Sequence, residues 1–415
     1  MSTNPQAFDF DLLIVGGGLV GAALAVAVGR STSHRVGLIE SHRINTASGN
    51  GHFDDRSVAI AHGSRLVFAQ LGLDALFESQ AEPIFTIHVS ERGQFGATRL
   101  NAAEEQVPAL GYVIENRALG AALFEQLNNC TNVTLLDGTR VLDLNQNKER
   151  AALTVGSSAG ERTLTAQLVV AADGAQSQLR DLVGIGAREH DYRQSAIIAN
   201  VCCSLGHRNI AYERFTDSGP LALLPLRDDR YSLVMTVWSD ELEDVMGLDD
   251  DAFLNRLQRR FGRRAGRFER VGARASFPLN RVSALSDSAG RTVLMGNAMH
   301  NLHPVSGQGF NLAIRDVGLL TELLAAQPEL ELASADLLQE FSRRRVDDHR
   351  RVERFTDTLA RLFTLPFTGA GHLRGAGLIA TDVVPFLRRS LARQSMGMGG
   401  RLPLIKSQSE ARQLP

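Results

Sequence analysis

The sequence predicts an α/β fold in which a parallel sheet covered by helices is joined to an antiparallel β-sheet unit and a helical C-terminal region. Three observations support this prediction. An apolar strand, a glycine turn and a small apolar helix follow one another at the start of the chain. Apolar runs separated by short polar breaks occupy 195–238. The stretches 310–326 and 335–363 have helical character.

Size and composition indicate a multidomain globular protein. The chain has 415 residues, of which 44% are hydrophobic and 22% charged, so two or three domains of ordinary composition are expected. The formal net charge of -2 provides no general attraction for phosphate, which argues against a nucleic-acid-binding protein.

Cysteine usage and apolar run length bear on the cellular compartment. The cysteines Cys130, Cys202 and Cys203 lack metal-ligand spacing, and the adjacent pair cannot easily form a disulfide. No run of about 18 apolar residues occurs, and the N-terminus lacks a basic region followed by an apolar stretch. We therefore expect a cytoplasmic protein that is neither exported nor membrane-spanning.

The glycine turn GGGLVG at 16–21 follows directly on the apolar strand FDLLIV at 10–15. Gly16 permits a tight turn, Gly18 lets the backbone approach a pyrophosphate, and Gly21 lets the next helix pack closely on the strand. The amides at the N-terminus of that helix would face the phosphates. The spacing thus predicts a dinucleotide site.

A second strand at 36–39 ends in Glu40, about 20 residues past Gly21, where a carboxylate can accept hydrogen bonds from ribose hydroxyls. The alternative is a plain βαβ turn that binds no nucleotide. Strand, turn, helix, strand and acid in this order favour the nucleotide. The motif by itself does not distinguish one dinucleotide from another.

Two further motifs follow apolar strands. LVVAADGAQSQLR at 168–180 leads into Asp173 and Gly174, with Ser177 and Arg180 on a predicted helix. TVLMGNAMHNLHPVSGQGFNLAIRD at 292–316 leads into a glycine, a turn at 304–309 and another helix.

The three blocks, in this order, resemble the FAD-dependent aromatic hydroxylases related to para-hydroxybenzoate hydroxylase, over most of residues 8–320. The resemblance implies a Rossmann-type FAD-binding domain with an inserted mixed and antiparallel β-sheet substrate domain. It also implies NAD(P)H as reductant, O2 as co-substrate and chemistry carried by the flavin. The cofactor-binding residues that it implies are Gly16, Gly18, Gly21, Glu40, Arg56, Asp173, Gly174, Gly296, Asn297, Pro304, Gly307, Gln308, Gly309 and Asn311.

The resemblance assigns a role to several of these residues. Arg56 would meet the phosphate or ribityl region, and a surface arginine is the alternative. Asp173 and Gly174 would meet the ribityl or pyrophosphate region, or the nicotinamide cofactor. Capping of the helix by Asp173 through Ser177 is a compatible alternative.

The turn PVSGQG at 304–309 would lie beside the flavin ring. Its glycines, Gly307 and Gly309, would offer backbone amides to the negative charge that develops near N1 and the C2 oxygen, and a purely structural turn is the alternative. Asn297 stands where many relatives have aspartate, and its oxygen can still accept a hydrogen bond. His300 and His303 are expected to pack, and no metal site is expected.

Within this group, the pattern GNAxxxLHPxxGQGFNLxxRD and the segment DDRSVAIA at 54–61 are similar to the ubiquinone-biosynthesis hydroxylases. HVSERGQFGATRL at 88–100 is similar to the branch that hydroxylates 2-polyprenyl-6-methoxyphenol. The implied substrate is a lipophilic aromatic compound. Alternatives are hydroxylation at another ring position or of another aromatic substrate, a reductase that needs no oxygen, and a non-catalytic scaffold of a ubiquinone-biosynthesis complex. A tryptophan-rich halogenase is excluded, because Trp238 is the only tryptophan.

We expect an FAD-binding domain made of 1–82, 105–184 and 286–330, a substrate domain made of 83–104 and 185–285, and a helical region over 331–415. The inner face of the substrate-domain sheet should supply the substrate pocket. Between Arg343 and Arg401 there are 12 arginines and five acidic residues, interleaved with the apolar stretch GAGLIATDVVPFL at 375–387, which is too short to span a bilayer. We expect this segment to contact anionic lipid at the membrane surface or a protein partner, and a solvated charged helix surface is the alternative.

Overall fold

The computed structural model describes residues 8–44, 56–301, 307–326, 332–364 and 370–405, with side chains for all of these except 355–364 and 370–374. The helices and strands are, in chain order, β1 (Phe10–Val15), α1 (Leu19–Ser31), β2 (Val36–Ile39), β3 (Ser57–Ala61), α2 (His62–Gln70), α3 (Asp74–Gln80), β4 (Glu82–Ile84), β5 (Thr86–Glu91), β6 (Ala97–Asn101), β7 (Gly111–Glu115), α4 (Asn116–Asn128), β8 (Val133–Leu136), β9 (Arg140–Gln146), β10 (Ala151–Ser157), β11 (Gly160–Ala171), α5 (Gln178–Leu182), β12 (Ala187–Cys203), β13 (Ile210–Thr216), β14 (Gly219–Leu226), β15 (Arg230–Trp238), α6 (Leu242–Met246), α7 (Asp250–Phe261), β16 (Phe268–Val271), β17 (Ala275–Ala284), β18 (Ser288–Ala289), β19 (Thr292–Leu294), β20 (His300–Asn301), α8 (Gln308–Ala326), α9 (Ala335–Thr364), α10 (Ala370–Val383) and α11 (Pro385–Ser395).

A sheet whose central strands are parallel forms the first layer, as the N-terminal pattern predicts, and β18 and the hairpin of β9 and β10 join it antiparallel. Its strand order is β18-β19-β11-β1-β2-β8, and β1 lies parallel to β11 and β2, with Val15 opposite Ala171 and Ile39. Alternate residues of β1 are buried on opposite faces. Leu12 and Ile14 pack with the helices, and Leu13 packs with the hairpin of β9 and β10. Burial on both faces explains why this strand is continuously apolar.

A mixed, mainly antiparallel sheet forms the second layer, with the order β20-β17-β12-β15-β14-β13-β5-β6. The apolar runs of 195–238 become β12 to β15, which confirms the predicted strands. β5 joins the same sheet, parallel to β13. One face of the sheet packs against α7, whose Phe253, Leu257 and Phe261 point into the core.

α7 was not predicted, although the sequence contains signals for it. Asp249 accepts a hydrogen bond from the Ala252 amide (2.7 Å) and so caps the helix. The apolar residues that follow recur at helical spacing on an otherwise charged segment. The strand pattern that precedes this segment obscures its helical period.

The C-terminal region is helical, as predicted, and it folds back onto the second sheet. α10 ends before Pro385, whose ring cannot continue the backbone hydrogen bonds, and α11 begins there. The Thr98 hydroxyl of β6 donates to the Leu378 carbonyl oxygen (2.8 Å), and the Arg99 amide donates to Asp382 Oδ1 (2.8 Å). Within the described ranges, no helix is long and apolar enough to cross a membrane.

Candidate functional site

Three turns meet at one edge of the parallel sheet. β1, β11 and β19 follow one another across this sheet, and each of the three sequence motifs continues from one of their carboxyl ends. A Cβ added to Gly16 would lie 2.3 Å from the Ala172 carbonyl oxygen, so the first two turns touch. Arg180 Nη1 donates to the Ala298 carbonyl oxygen (3.2 Å), which ties the second turn to the third. Parallel topology thus places the motifs side by side.

The glycine turn combines close packing with one open position. Gly16 has a φ of +107°, a conformation that favours glycine, and a Cβ added to Gly21 would lie 1.9 Å from the Gly16 carbonyl oxygen. A Cβ added to Gly18 would have no heavy atom within 4 Å. Gly18 also precedes α1, which has no side-chain cap. The open position therefore lies at a helix N-terminus, where an anion is favoured.

Glu40 lies against the glycine turn at the end of β2, and it is almost fully buried. Its Oε2 accepts a hydrogen bond from the Gly17 amide (2.8 Å), and its Oε1 accepts one from the His42 amide (2.9 Å). The carboxylate is thereby fixed beside the turn, at the position predicted for a ribose-binding group. The structure adds a second role, because Glu40 also links the first turn to the end of β2.

Asp173 both caps a helix and directs an oxygen into the interior. Oδ2 accepts a hydrogen bond from the Leu179 amide (3.1 Å), and Ser177 caps the same helix by accepting from the Arg180 amide (3.0 Å). Asp173 Oδ1 is buried and accepts no hydrogen bond from a described residue. Gly174, next to it, has a φ of +93° and open space where a Cβ would lie. A buried acceptor of this kind calls for a donor from elsewhere.

The third motif forms one end of a cavity. Gly296 has a φ of +62°, and the exposed side chain of Asn297 lines the cavity. Three more of the predicted residues lie in its wall where α8 begins, namely Gly307, Gln308 and Gly309. The amino end of α8 is therefore directed toward the cavity.

Asn311 lies on the first turn of α8 and is held by the protein itself. Its Oδ1 accepts a hydrogen bond from the Ala61 amide (2.7 Å), and its Nδ2 donates to the carbonyl oxygens of Ala59 (2.8 Å) and Gly307 (2.8 Å). Both Nδ2 hydrogens are used in these contacts. Asn311 therefore fixes α8 against β3 and holds the Gly307 turn in place.

Arg56 lines the cavity near its junction with the second sheet, and its guanidinium lies 4.8 Å from the centroid of the Phe277 ring. A cation over an aromatic face is held by the ring's quadrupole. Two predicted residues of the third motif, His303 and Pro304, lie outside the described residues.

The cavity has a volume of about 1180 Å³ and lies between the third motif, with the neighbouring Ala175, and the second sheet; the glycine turn, Glu40 and Asp173 do not line it. The sheet residues that line it follow the period of two: in β14, Ala222 and Leu224 face the cavity, whereas Leu221 and Leu223 pack toward α7. Further apolar residues in the wall are Ile87, Val89, Leu100, Ala196, Ile198, Ala211, Val234, Phe277, Leu279, Leu378, Leu387 and Leu391.

The cavity lies on one face of the second sheet, where the substrate pocket was expected, but none of these lining residues was predicted from the sequence. Alternation within LALLPL at 221–226 could have identified Ala222 and Leu224. Nothing in the sequence signals the wall contributed by α10 and α11, because it depends on how the C-terminal helices fold back onto β6.

A buried charged network lies behind the third motif. His300 is 1% exposed, and its ring lies 4.5 Å from that of His349. His349 Nε2 lies 2.9 Å from Asp316 Oδ2, which accepts a hydrogen bond from Arg345 Nη2 (2.7 Å). Burial lowers the pKa of His300 well below its usual value, and the adjacent His349 acts in the same direction. His300 is therefore neutral and packs, as expected.

Asp316 stays ionised within this network. Burial alone would raise the pKa of Asp316. Arg345 and His349 lower this pKa by more than burial raises it, so the net shift is downward. Arg345 also donates to the Leu294 carbonyl oxygen (3.2 Å) at the end of β19. The network thus joins α8 and α9 to the strand that carries the third motif.

These features fit a cofactor with a pyrophosphate, ribose hydroxyls and a flavin ring. Open space at Gly18 and Gly174 admits a ligand close to the backbone, and the buried Asp173 Oδ1 needs a hydroxyl or amide donor. FAD, when bound here, supplies electron transfer from NAD(P)H and the activation of O2. Among the residues that the structure describes, no cluster of metal-ligating side chains was found.

Comparison with known proteins gives the family. The model of a family described as an FAD binding domain matches residues 9–356. The ubiquinone hydroxylase UbiL of Rhodospirillum rubrum is 36% identical over 93% of this chain and 89% of its own length. The 3-demethoxyubiquinol 3-hydroxylase of Escherichia coli K12 is 30% identical over 94% of this chain and 98% of its own.

The fold is also found in solved structures. That of p-nitrophenol 4-monooxygenase PnpA from Pseudomonas putida DLL-E4 superposes with a TM-score of 0.77 and 19% identity, over 94% of this chain and 98% of that one. The resemblance inferred from the three motifs is thereby confirmed. The chain belongs to the FAD-binding-domain family and is an FAD-dependent monooxygenase.

Proposed function

We propose that the enzyme hydroxylates the phenolic ring of a polyprenylated ubiquinone precursor. The observation that carries this proposal is a cavity of about 1180 Å³, with residues of the third motif in one part of its wall and mostly apolar side chains in the rest. An apolar cavity of this volume suits a ring that bears an isoprenoid chain. The names of UbiL and the Escherichia coli hydroxylase point to the same class of substrate.

The protein's own residues have three tasks in this proposal. The motif turns hold the cofactor, through the glycine turn and Glu40 at one end and Asn297 at the other. The amino end of α8 stabilises negative charge on the flavin ring. The apolar wall, including Phe277 and Leu224, orients the phenol and excludes water from the reacting atoms. A catalytic side-chain nucleophile is not required.

The predicted division into domains is part of the proposal. The FAD-binding unit comprises 1–82, 105–184 and 286–330, the substrate unit 83–104 and 185–285, and the helical region 331–415. The cavity supports this division, because its wall combines motif turns, strands of the second sheet and the last two helices.

The proposed substrate is 2-polyprenyl-6-methoxyphenol, and this choice determines which ring position is hydroxylated. The segment 88–100 that supports it forms β5 and β6, where Val89, Thr98 and Leu100 line the cavity. Hydroxylation at another position is the alternative, since the Escherichia coli relative bears the name of a different ring substrate.

Gene deletion followed by analysis of quinone intermediates tests the ring position. We expect accumulation of 2-polyprenyl-6-methoxyphenol and its disappearance when the gene is restored. Accumulation of an intermediate that lacks a different hydroxyl group would reassign the position and leave the class of reaction intact.

We further propose that the enzyme works on the cytoplasmic face of the membrane, where a polyprenylated phenol resides, and in contact with other enzymes of ubiquinone biosynthesis. Purified yellow protein mixed with NAD(P)H and a phenol in air should lose its flavin absorbance and regain it as the reductant is consumed. Absence of bleaching with every phenol tested would contradict the proposed hydroxylation.

A further inference from the structure

Exposed apolar side chains follow one edge of the molecule where β6 meets α10. Phe95, at the tip of the hairpin before β6, is 89% exposed, Val383 is 70% exposed and Phe386 is 78% exposed. Ile379 and Val384 are partly exposed beside them. We name these five residues the apolar edge. Large apolar side chains exposed together are unusual on a protein surface that faces only water.

The apolar edge is held in place by backbone packing. A Cβ added to Gly96 would lie 2.6 Å from the Gly375 carbonyl oxygen and 3.1 Å from Ile379 Cγ1, so the hairpin tip lies directly on α10. Farther along, the Arg99 amide donates to Asp382. The hairpin and the helix therefore form one surface.

The same helices separate the apolar edge from the cavity. Leu378 and Thr381 of α10 line the cavity, as do Leu387 and Leu391 of α11. Leu387 directly follows Phe386 of the apolar edge and is itself 42% exposed. Apolar surface thus continues from the outside of α11 into the cavity.

Part of the arginine excess of the C-terminal segment is neutralised by acidic residues that lie outside it. Arg343 and Arg344 pair with Glu340, Arg388 pairs with Glu104, and Arg401 pairs with Glu322, while Arg345 is buried against Asp316. The count of basic residues between 343 and 401 therefore overstates the positive charge that faces solvent.

Two exposed arginines lie beside the apolar edge. Arg389 and Arg393 are exposed on α11, one and two turns beyond Phe386, and neither forms an ion pair with a described residue. The inner side of α11 is anchored through Ala392 and Met396, which pack near Leu100. Apolar side chains flanked by unpaired arginines complement a lipid surface with anionic headgroups.

We propose that the apolar edge, with Arg389 and Arg393, inserts into the surface of an anionic membrane and places the mouth of the cavity against the lipid. The inference rests on the proposed function, for which it supplies the partner that delivers a lipophilic substrate. The proposed contact surface is this hairpin and helix corner.

Flotation of the FAD-loaded enzyme with vesicles tests the inference. With equal parts of phosphatidylglycerol and phosphatidylcholine, the wild-type enzyme should float with the vesicles. F95S/F386S should reduce vesicle binding roughly tenfold, because two large apolar anchors are lost. R389Q/R393Q should reduce it by a similar factor, but only with the anionic vesicles and at low salt.

Matched variants control for charge and exposure. L205S/L285S removes two exposed leucines, and R259Q/R267Q removes two exposed arginines that form no ion pair within the described part of the chain. Both should bind vesicles like the wild type. None of the substituted residues lines the cavity, so NAD(P)H consumption with a soluble short-chain phenol should be unchanged.

Equal vesicle binding by F95S/F386S and the wild type would overturn the inference, as would failure of the wild type to float. Loss of a dimer in F95S/F386S without any vesicle binding would show that the edge joins two copies of the chain. Flotation needs no turnover, so a wrong substrate assignment would leave its result unchanged.

Discussion

At the scale of single residues, the three turns contain two kinds of group: those that the fold requires and those that a ligand would contact. Gly16 and Gly21 meet protein atoms at distances that no Cβ could tolerate, whereas Gly18 faces open space. Ser177 completes a helix cap, whereas Asp173 keeps one buried oxygen for another donor. These differences can be measured separately.

Gly18→Ala should leave the fold intact and weaken FAD binding. The added methyl group meets no protein atom, yet it occupies the space predicted for the pyrophosphate. We expect thermal stability of the apoprotein close to that of the wild type and an FAD affinity lower by about tenfold or more, or about 1.4 kcal/mol. Titration of the apoprotein with FAD measures this, with Gly272→Ala, at an exposed site, as the control. Wild-type affinity in Gly18→Ala would contradict the assignment.

Asp173→Ala and Ser177→Ala should both lower stability, but only Asp173→Ala should weaken FAD binding. Loss of the Ser177 cap should cost about 1 kcal/mol of unfolding free energy and leave FAD affinity unchanged. Loss of Asp173 should lower both quantities, because its two oxygens serve a helix and a ligand. Urea unfolding and FAD titration of the two variants give the comparison, and equal FAD affinity in both would remove Asp173 from the binding site.

The motifs could be found in the sequence, but which of their residues serve the fold and which face the space for a ligand could not be predicted. The spacing of glycines and acids reflects local backbone geometry, which is written in consecutive residues. Asn311 shows the limit, because its amide bonds to Ala59 and Ala61, far away in the chain. Only the folded structure shows that it positions α8 against β3.

At the scale of secondary structure elements, strands of the second sheet serve two surfaces at once. Alternate residues of β14 pack against α7 or line the cavity, so neighbouring positions should respond differently to substitution. The same rule applies to β5, where Ile87 and Val89 line the cavity and His88 lies on the other side.

Ala222→Phe and Leu223→Ala test this alternation. Ala222→Phe should fill part of the cavity and lower kcat/KM for a polyprenylated phenol by about tenfold, with FAD retained. Leu223→Ala should lower the free energy of unfolding by about 2 to 5 kcal/mol, with smaller effects on turnover of the folded enzyme. Steady-state kinetics and urea unfolding check both. The reverse pattern would show that the cavity lies on the other face.

Elements were predictable where one short period of the sequence dominates. β1 and β12 to β15 follow from continuous or alternating apolar residues, and α8 and α9 from helical spacing. α7 was missed between strong strand signals. The roles of α10 and α11 in the cavity wall depend on their docking against β6, which no local pattern encodes.

At the scale of the whole molecule, the buried network of Asp316, Arg345 and His349 connects the C-terminal helices to the parallel sheet. Asp316 and Arg345 are nearly inaccessible to water, with 3% and 2% of their side chains exposed, respectively. A buried pair is costly to break, because the remaining charge has no solvent to compensate it. The network therefore links the position of the third motif to the packing of the C-terminal helices.

Asp316→Asn should destabilise the protein by about 3 to 5 kcal/mol, since Arg345 would stay charged and buried. Asp316→Asn combined with Arg345→Met should be less destabilised than the single variant. Because the pKa of Asp316 is lowered in the folded state, its contribution is present above the ordinary carboxylate pKa and is lost as pH falls below it. Urea unfolding at neutral and acidic pH measures both effects. Equal stability of Asp316→Asn and the wild type would contradict this account.

For the whole enzyme we propose one activity: it uses bound FAD to hydroxylate a polyprenylated phenol that lies in the apolar cavity. The most direct measurement supplies the purified FAD-loaded protein with NAD(P)H, isotopically labelled O2 and 2-polyprenyl-6-methoxyphenol, and analyses the product by mass spectrometry. We predict one labelled oxygen atom on the ring for each NAD(P)H consumed. Consumption of NAD(P)H that yields only hydrogen peroxide, with this phenol and its ring isomers alike, would contradict the account.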